Sequence, residues 1–288
     1  MSNSTTSPLG TIITAVVTPF SDAGPVDYAA MATLLEHLIA NGSDGVVVAG
    51  TTGEAPTLTD DEQIELIGFV AENFKSRLRV IAGAGANDTA HAIRLTERAT
   101  AAGADAILSV TPYYNRPDRR GLLAHFEAVA GSTDLPVVLY NVPTRTGVDM
   151  PDELAAELGA LHSNITGMKQ ARPGVPSAIA GLDLYAGNDD SFAAALDAGA
   201  VGGILVASHL VGTQMRQVAD SADNRTEKDA PLRSFYDSLG VTTNPVPIKA
   251  ALDLAGLPGG SLRLPLLAAT DAEREVIADA MRPLGLIA

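Results

Sequence analysis

The stretch Asn164-Ile165-Thr166-Gly167-Met168-Lys169 decides how the rest of this 288-residue chain is interpreted. It is a short apolar run, rich in β-branched residues, and it ends in a lysine. Its length and composition are typical of a buried strand. In barrels of parallel strands and helices the chemistry lies at the C-terminal ends of the strands, so Lys169 is a candidate catalytic residue.

The chain contains four lysines, and only Lys169 follows a strand pattern directly. Lys75 closes an amphipathic helical stretch, Lys228 lies in a charged run, and Lys249 opens an apolar helix. A lysine just past a strand is more often a solvated end than a buried group. The residues that accompany Lys169 therefore decide between a catalytic and a solvated role.

Apolar, β-branched runs alternate with helical patterns eight times along the chain. The predicted strands are Ile12–Val17, Gly45–Ala49, Arg79–Gly83, Ala106–Val110, Val137–Tyr140, Ile165–Met168, Asp183–Ala186 and Gly203–Val206. Helical periodicity falls between them, for instance at Tyr28–Ala40, Asp60–Phe74, Asp88–Ala102 and Pro151–Ala160. Eight β-then-α units at this spacing predict an α/β fold, a closed parallel (β/α)8 TIM barrel.

The alternative architecture is a doubly wound open sheet. Such a sheet favours a Gly-rich phosphate-binding turn after the first strand, and Thr18-Pro19-Phe20 contains no glycine. Beyond Asp220 the pattern changes to a charged run followed by helical segments at Ala230–Leu239, Pro247–Leu254 and Asp271–Met281. We therefore predict a barrel over residues 1–222 and a C-terminal helical appendage over residues 223–288.

Composition narrows the class of function. A net charge of −15 disfavours a surface for nucleic acid or anionic membranes. No apolar run reaches the roughly 18 residues of a membrane span, and we expect no secretory signal in the polar, uncharged start. The chain has no cysteine, which excludes thiolate metal sites and is compatible with a cytoplasmic location. The five histidines show no metal-ligand spacing, so no metal is predicted.

Small polar residues follow the second predicted strand in Gly50-Thr51-Thr52-Gly53-Glu54. The glycines let backbone N–H groups approach a small anion, and the threonines supply further donors. An ordinary turn before the next helix explains the same residues equally well. After the fourth strand, Tyr113 and Tyr114 lie in a Pro-bounded loop, where tyrosines serve either interface packing or proton transfer.

The fifth strand ends in Tyr140, whose hydroxyl needs a partner if it is buried. Arg145 follows in a loop bounded by proline and glycine, where it is placed to bind a carboxylate bidentately, although a surface salt bridge is commoner. Gly187 follows the seventh strand, where a glycine permits either a tight turn or the approach of a ligand to the backbone, and Ile204 lies in the eighth. His209 lies just beyond, and we leave it outside the site. All these residues fall at one end of the predicted barrel, which favours an active site there.

A lysine beside tyrosine and threonine hydroxyls suits Schiff-base chemistry on a 2-oxo acid. Carbinolamine formation and dehydration require protons to be moved in and out, and Tyr140 with Thr51 is placed to relay them. The iminium becomes an enamine, which attacks an aldehyde. The Thr51 and Thr52 amides, together with the Thr52 hydroxyl, would hold the carboxylate of the first substrate, and Arg145 that of the second.

Lys169, the Gly50–Glu54 motif and the Tyr140–Gly147 motif together resemble the pyruvate-dependent class I aldolases of the N-acetylneuraminate lyase superfamily. Within it they are most similar to the dihydrodipicolinate synthase family, as are the Pro112–Pro117 and Asn244–Lys249 motifs. The resemblance extends over nearly the whole chain. It implies a homotetramer, built as a dimer of dimers, that condenses pyruvate with L-aspartate-4-semialdehyde in the diaminopimelate route to lysine.

Carried over residue by residue, the resemblance implies that Lys169 forms the Schiff base with pyruvate. It implies that Tyr140 and Thr51 relay protons together with Tyr114, which a neighbouring subunit lends. No separate cofactor is implied, because the covalent Schiff base itself activates pyruvate.

The resemblance also implies which residues bind the two substrates. Thr52 and Ile204 would contact pyruvate, and Arg145 would bind the carboxylate of the semialdehyde. Relatives that act on sialic acid or sugar-derived oxo acids tend to differ in the loop of Arg145, so this residue favours the synthase family.

The chain departs from the family pattern in two places. Gln170 replaces the acidic residue common after the lysine, and residues 171–181 are rich in proline and glycine, which blurs the sixth helix. Relatives inhibited by lysine tend to carry polar residues after the Thr-Thr motif and an acidic residue after the Gly-Ala-Asn turn. Ala55, Pro56 and His91 stand at those positions, so we predict weak or absent inhibition by lysine.

Two other functions stay open from the sequence. A related lyase would cleave a longer 2-oxo acid with the same lysine. A non-catalytic barrel would bind a 2-oxo acid as a sensor. The complete set of Thr51, Tyr114, Tyr140 and Lys169 is more than binding alone requires, which favours an enzyme.

Overall fold

A computed structural model describes residues 9–22 and 24–288. Within these residues eight strands form one sheet: β1 (Ile12–Ala15), β2 (Gly45–Val48), β3 (Arg79–Gly83), β4 (Ala106–Val110), β5 (Val137–Asn141), β6 (Ile165–Gln170), β7 (Asp183–Ala186) and β8 (Gly202–Leu205). Each strand pairs in parallel with the next, and β8 pairs with β1. The sheet is therefore a closed parallel barrel, and the prediction of a (β/α)8 fold is confirmed.

Several predicted strand ends were wrong by one or two residues. β1 ends at Ala15 rather than Val17, and β2 ends at Val48, because Ala49 turns into the left-handed region at φ 54°. β6 continues to Gln170, since its ladder with β5 extends two residues beyond Met168. Lys169 consequently lies inside a strand and not after it.

Helices alternate with most of the strands on the outside of the barrel. Those up to residue 220 are α1 (Tyr28–Ala40), α2 (Asp60–Phe74), α3 (Thr89–Ala101), α4 (Arg119–Ala130), α5 (Pro143–Thr146), α6 (Asp152–Leu161), α7 (Phe192–Asp197) and α8 (Ser208–Asp220). Side chains cap the N-termini of several of these helices. At the start of α2 the Thr59 hydroxyl accepts from the Glu62 N–H at 3.2 Å, and the Glu62 carboxylate accepts from the Thr59 N–H at 3.0 Å. The predicted bounds of α1 and α2 are confirmed.

The expectation of eight complete β-then-α units was wrong at one connection. The described residues 171–182 between β6 and β7 form no helix. Pro173 and Pro176 each lack an N–H for a helical ladder, and Gly174 has a φ of +92°. The strand that carries Lys169 is therefore followed by an irregular segment.

The core is divided into two layers by the barrel wall. Alternate strand residues such as Ile13, Val47 and Val138 point inward and form a small cluster inside the barrel. The other residues of each strand, for example Val48 and Met168, pack outward against the helices in a larger cluster. This alternation decides which residues reach the barrel interior.

The C-terminal region is helical, as predicted. Its helices are α9 (Arg225–Asp229), α10 (Arg233–Ser238), α11 (Val246–Leu254) and α12 (Asp271–Met281). The predicted helix over residues 230–239 is shorter, because a 3-10 turn occupies Ala230–Leu232. Buried residues of this region, including Ile248 and Ile277, join the outer core of the barrel. The division at residue 222 stays a prediction.

Membrane-spanning helices were sought in the same part of the chain. None of the helices within residues 9–22 and 24–288 combines the length and the apolar character that crossing a bilayer requires.

Candidate active site

Lys169 points into the barrel because of its place in β6. It is paired in register with Tyr140 on β5 and Tyr185 on β7, and both tyrosines belong to the inner cluster. Gly167, two residues earlier on the same face, packs closely against β7, since a Cβ there would lie 3.1 Å from the Asp183 carbonyl. The side-chain alternation of a strand therefore buries the lysine, which is only 6% exposed.

The surroundings of the Lys169 ammonium are aromatic rather than acidic. Its Nζ lies 4.3 Å from the centroid of the Tyr140 ring. With the described residues it forms no ion pair within the 4.0 Å limit. A cation over an aromatic face is stabilised by roughly 0.5–2 kcal/mol, less than a buried carboxylate would supply. The amine is thus buried against an aromatic ring and, within the described residues, has no carboxylate at ion-pair distance.

A cavity of ≈ 400 Å³ opens from Lys169 towards the barrel mouth. Five of the predicted site residues line it, namely Lys169, Tyr140, Thr51, Thr52 and Arg145. Both apolar and polar side chains line it, as is usual for small-molecule sites. The structure therefore brings these five residues, which come from three separate sequence motifs, around one space.

The loop after β2 is fixed by unusual backbone and by hydrogen bonds. Its two ends have left-handed backbone conformations, at Ala49 (φ 54°) and Glu54 (φ 57°). Such conformations are energetically costly for residues other than glycine. The Thr18 hydroxyl donates to the Gly53 carbonyl at 2.6 Å. The turn between them directs Thr51 and Thr52 to the cavity, and Thr52 is buried.

Arg145 lies at the rim of the same cavity. It belongs to α5, a single helical turn that follows β5 and ends at Gly147 with a φ of 71°. The guanidinium is exposed and donates from Nη2 to the Asn244 carbonyl at 3.3 Å. It is therefore available to a negatively charged group that enters from solvent.

Three predicted site residues do not line this cavity. Ile204 is completely buried in the inner cluster with Tyr140. Gly187 contacts the end of β6, where a Cβ would lie 2.7 Å from the Gln170 carbonyl, and its N–H donates to that carbonyl at 2.8 Å. Tyr114 is 90% exposed and has a φ of 73°. Its ring thus projects from the barrel mouth into solvent.

The cavity also contains residues that the sequence did not assign to catalysis or to substrate binding. Gln63 on α2 is buried and donates from Nε2 to the Gly83 carbonyl at 2.5 Å. At the outer wall His91 Nε2 lies 2.9 Å from Asp60 Oδ1. Gln63 lies on α2, three residues after Asp60. Its polar character among the buried residues of that helix was the only signal in the sequence that could have pointed to it.

A partly buried carboxyl, that of Asp189, lies within electrostatic reach of Lys169. Burial raises the pKa of Asp189 to about 6, while the N–H groups of Ala207 and Val206 and the charge of Lys169 act in the opposite direction. Its Oδ1 accepts from Ala207 N–H at 2.9 Å and from Val206 N–H at 3.1 Å. Asp189 thereby ties the end of β7 to the start of α8.

A metal site would require several His, Cys, Asp or Glu side chains close together. In the described ranges, 9–22 and 24–288, no group of three or more His, Cys, Asp or Glu side chains is close enough to hold a metal ion. Basic side chains border the cavity, among them Lys169 and Arg145.

Comparison with known proteins assigns this architecture to a family. Residues 8–283 match the model of the dihydrodipicolinate synthetase family. The chain is 41% identical over 290 residues to the 4-hydroxy-tetrahydrodipicolinate synthase of Synechococcus sp. (strain CC9311), covering 96% of each protein.

Solved structures agree with this relation. A dihydrodipicolinate synthase from Cyanidioschyzon merolae with lysine bound superposes with a TM-score of 0.93 at 38% identity, covering 97% of this chain and 99% of that one. The chloride-inhibited enzyme from Acinetobacter baumannii, complexed with pyruvate, has a TM-score of 0.93 at 36% identity, covering 97% of this chain and 100% of that one. The match spans the barrel and the C-terminal helices alike, and the chain belongs to the dihydrodipicolinate synthetase family.

Proposed function

We propose that the chain condenses pyruvate with L-aspartate-4-semialdehyde to give 4-hydroxy-tetrahydrodipicolinate, in the diaminopimelate route to lysine. The observation that carries the proposal is Lys169, buried at the base of an open cavity without a carboxylate in ion-pair range. A buried amine against the Tyr140 ring is suited to nucleophilic attack on a ketone. The activity is the one for which the Synechococcus relative is named.

The reaction begins when the neutral amine of Lys169 attacks C2 of pyruvate and forms a carbinolamine. Loss of water gives an iminium, and loss of a C3 proton gives an enamine. The enamine carbon attacks the aldehyde carbon of the semialdehyde, so that a C–C bond forms and the aldehyde oxygen becomes a hydroxyl. The amino group of the semialdehyde then attacks C2, closes the ring and releases Lys169. One water is lost overall, and no redox cofactor or metal is required by this balance.

Proton transfers are assigned to Tyr140, Thr51 and Tyr114. Tyr140 is the group next to the reacting nitrogen, and Thr51 lies on the same cavity wall. Tyr114 cannot serve the cavity of its own subunit from its exposed position, so we propose that it enters the site of a neighbouring subunit. This sharing supports a homotetramer built from dimers.

The two carboxylates are assigned to different parts of the cavity. Thr52 at its inner wall binds pyruvate, with Ile204 packing behind Tyr140 inside the barrel. Arg145 at the rim binds the carboxylate of the semialdehyde. Gly187, at the adjoining end of β7, is the fourth residue that we assign to substrate binding. The pyruvate complex of the Acinetobacter relative supports pyruvate as the first substrate.

The surroundings in which this reaction would run follow from composition. A net charge of −15 supports a protein that binds small anions through local cations and does not bind nucleic acid. We infer a cytoplasmic location, with no membrane partner, from the absence of cysteine and from the metabolic role.

Borohydride reduction in the presence of pyruvate, followed by peptide mass spectrometry, tests the proposal. We expect a reduced pyruvyl adduct on Lys169 and turnover when L-aspartate-4-semialdehyde is added. An adduct on Lys169 without turnover of that aldehyde, but with turnover of sugar-acid aldehydes, would identify a related lyase instead. Absence of any adduct would contradict the Schiff-base mechanism and favour a binding protein.

A further inference from the structure

The segment Asn244–Lys249, at the start of α11, is singled out by its sequence but has no part in the proposed reaction. It contacts both of the side chains that are assigned to the substrate carboxylates, Thr52 and Arg145. Asn244 Nδ2 donates to the Thr52 hydroxyl oxygen at 2.9 Å, across 192 positions of sequence. The Asn244 carbonyl accepts from Arg145 Nη2 at 3.3 Å. One residue therefore contacts the groups assigned to the two substrates.

The segment is held in this place by a buried ion pair. Lys249 Nζ lies 2.6 Å from Glu54 Oε1, and the two side chains are 3% and 1% exposed. The same ammonium donates to the Thr18 carbonyl at 2.8 Å and to the Ser261 carbonyl at 2.6 Å. Glu54 lies only two residues after Thr52, so the pair fixes α11 against the loop that binds pyruvate. The contact of Asn244 with Thr52 is thus made between two anchored segments.

The direction of the hydrogen bond decides what Thr52 can do. A threonine hydroxyl carries one proton and two acceptor lone pairs, whereas the amide nitrogen of asparagine only donates. When Asn244 donates to Thr52, one lone pair is occupied and the hydroxyl proton stays available for another partner. A carboxylate only accepts hydrogen bonds, so it needs that proton.

We propose that Asn244 is a positioning residue that orients the Thr52 hydroxyl to donate to the pyruvate carboxylate. It would also hold the unliganded Arg145 at the cavity rim. This inference rests on the proposed function, because it assigns Thr52 to pyruvate. It adds the C-terminal region to the active site without giving it any contact with the reacting atoms.

Half-saturation of borohydride trapping with pyruvate measures this effect apart from later steps. In Asn244→Ala the hydroxyl is no longer oriented, and we expect the half-saturating pyruvate concentration to rise roughly tenfold, as for loss of one hydrogen bond. In Asn244→Asp the new carboxylate accepts the Thr52 proton and repels the substrate, so the rise should be larger, roughly a hundredfold. The maximal yield of adduct at saturating pyruvate should stay close to that of the natural chain in Asn244→Ala.

Two further variants separate positioning from general packing. Asn164 is a matched control, because it is also partly buried and donates from Nδ2 to the carbonyls of Ala130 and Thr133 at 2.9 Å. Asn164→Ala should lose stability without changing the pyruvate dependence. In a Thr52→Val background Asn244→Ala should add no further change, since the hydroxyl that it orients is gone.

The outcomes distinguish this inference from the function on which it rests. If the natural chain forms no adduct, the proposed function fails, and the role of Asn244 fails with it. If the natural chain is trapped normally and both Asn244 variants keep its half-saturation, only the positioning role is wrong. An Asn244→Asp effect no larger than that of Asn244→Ala would also contradict the proposed direction of the hydrogen bond. Asn244→Asp is nearly isosteric, so it retains the shape of the segment.

Discussion

Two lysines are buried in this molecule, and their surroundings differ in one respect. Lys169 inside the barrel is 6% exposed and Lys249 at the joint with the C-terminal helices is 4% exposed. Lys249 Nζ lies 2.6 Å from a Glu54 carboxylate oxygen and donates to the carbonyls of Thr18 and Ser261. Lys169 has the Tyr140 ring and an open cavity. Burial is the same in both, and the presence of a carboxylate separates a structural ammonium from a candidate nucleophile.

The pKa of Lys249 reflects its carboxylate partner. Burial lowers the pKa of Lys249, and the hydrogen bond and charge of Glu54 oppose that shift. A buried pair of this kind is expensive to break, because the remaining partner is left as an isolated charge. The difference predicts that substitution of one lysine removes activity and that substitution of the other removes stability.

The largest expected effect is on activity, from Lys169→Met. Because the nucleophile is lost, we expect turnover to fall by at least about a thousandfold and pyruvate trapping to disappear. Unfolding in denaturant should change little, since methionine fills a similar volume and no buried partner is left unpaired. Steady-state kinetics and a denaturant titration of the same sample measure both quantities.

The control for this comparison is the position of the adduct in Lys249→Met. Whatever fraction of that variant is folded should still be trapped at Lys169. An adduct that moves to Lys249 in Lys169→Met, with retained turnover, would contradict the assignment of the two lysines.

The next effect is on stability, from Lys249→Met. Removing one partner of a buried pair leaves Glu54 charged and buried, and we expect the free energy of unfolding to fall by roughly 3–5 kcal/mol. Combining it with Glu54→Gln removes the isolated charge, so the double variant should recover part of the loss. Denaturant unfolding of the two single variants and the double variant gives the coupling. A double variant as unstable as the sum of both singles would contradict the importance of the pair.

A smaller effect concerns a buried base that has no carboxylate, His209. Its Nδ1 donates to the Val206 carbonyl at 2.7 Å, and its Nε2 accepts from Val17 N–H at 3.2 Å, so the neutral ring joins the ends of β1 and β8. Burial lowers the pKa of His209 to about 4 from its ordinary 6.5. Between these values the unfolded chain binds more protons than the folded one. The contribution of His209 to stability is therefore complete above pH 6.5 and is lost as the pH falls towards 4.

Unfolding measured at pH 6.5 and pH 4.5 tests this window. The natural chain should lose about 2 kcal/mol more than His209→Asn between the two values, because the variant cannot be protonated there. Comparison with the variant is needed because Asp189 has the opposite sign. Its raised pKa, about 6, stabilises the fold below the ordinary pKa of an aspartate, and this contribution is lost as the pH rises through 6. Equal pH dependence in both proteins would contradict a buried neutral His209.

The smallest expected effect is that of free lysine. The buried ammonium of Lys249 is held by a carboxylate. A free lysine that enters the outer part of the cavity would likewise need an unoccupied carboxylate there to bind its ammonium group. Asp60 is already 2.9 Å from His91, and Ala55 and Pro56 offer no charge. We expect activity to be unchanged up to millimolar lysine, and His91→Glu to make the enzyme more sensitive. Inhibition of the natural chain well below a millimolar would contradict this prediction.

Much of the fold was predictable because strand periodicity is a local property. The inward position of Lys169 and the convergence of Thr51, Tyr140 and Arg145 follow from strand order and from the polar residues at strand ends. The irregular connection after β6 was only partly predictable. Its prolines were visible, but the regular alternation elsewhere favoured a helix.

The contacts of Asn244 and Gln63 were not predictable in the same way. Asn244 meets Thr52 across 192 positions, and Gln63 reaches a carbonyl on the neighbouring strand. Neither contact has a periodic signal, since each depends on how whole elements are packed. Gly187 is similar, because the close approach to Gln170 that requires a glycine exists only after β6 and β7 have paired.

Closure of the barrel has a consequence for the order in which the chain can fold. β1 completes its ladder only with β8, and the loop of Thr52 gains its buried ion pair only when Lys249 reaches Glu54. A chain emerging from the ribosome has made its N-terminal strand and the loop of Thr52 long before either partner exists. Such long-range contacts form slowly, because the intervening loop must be closed first. The cavity around Lys169 is therefore among the last parts of the molecule to form, and a prematurely terminated chain would retain Lys169 without the completed cavity around it.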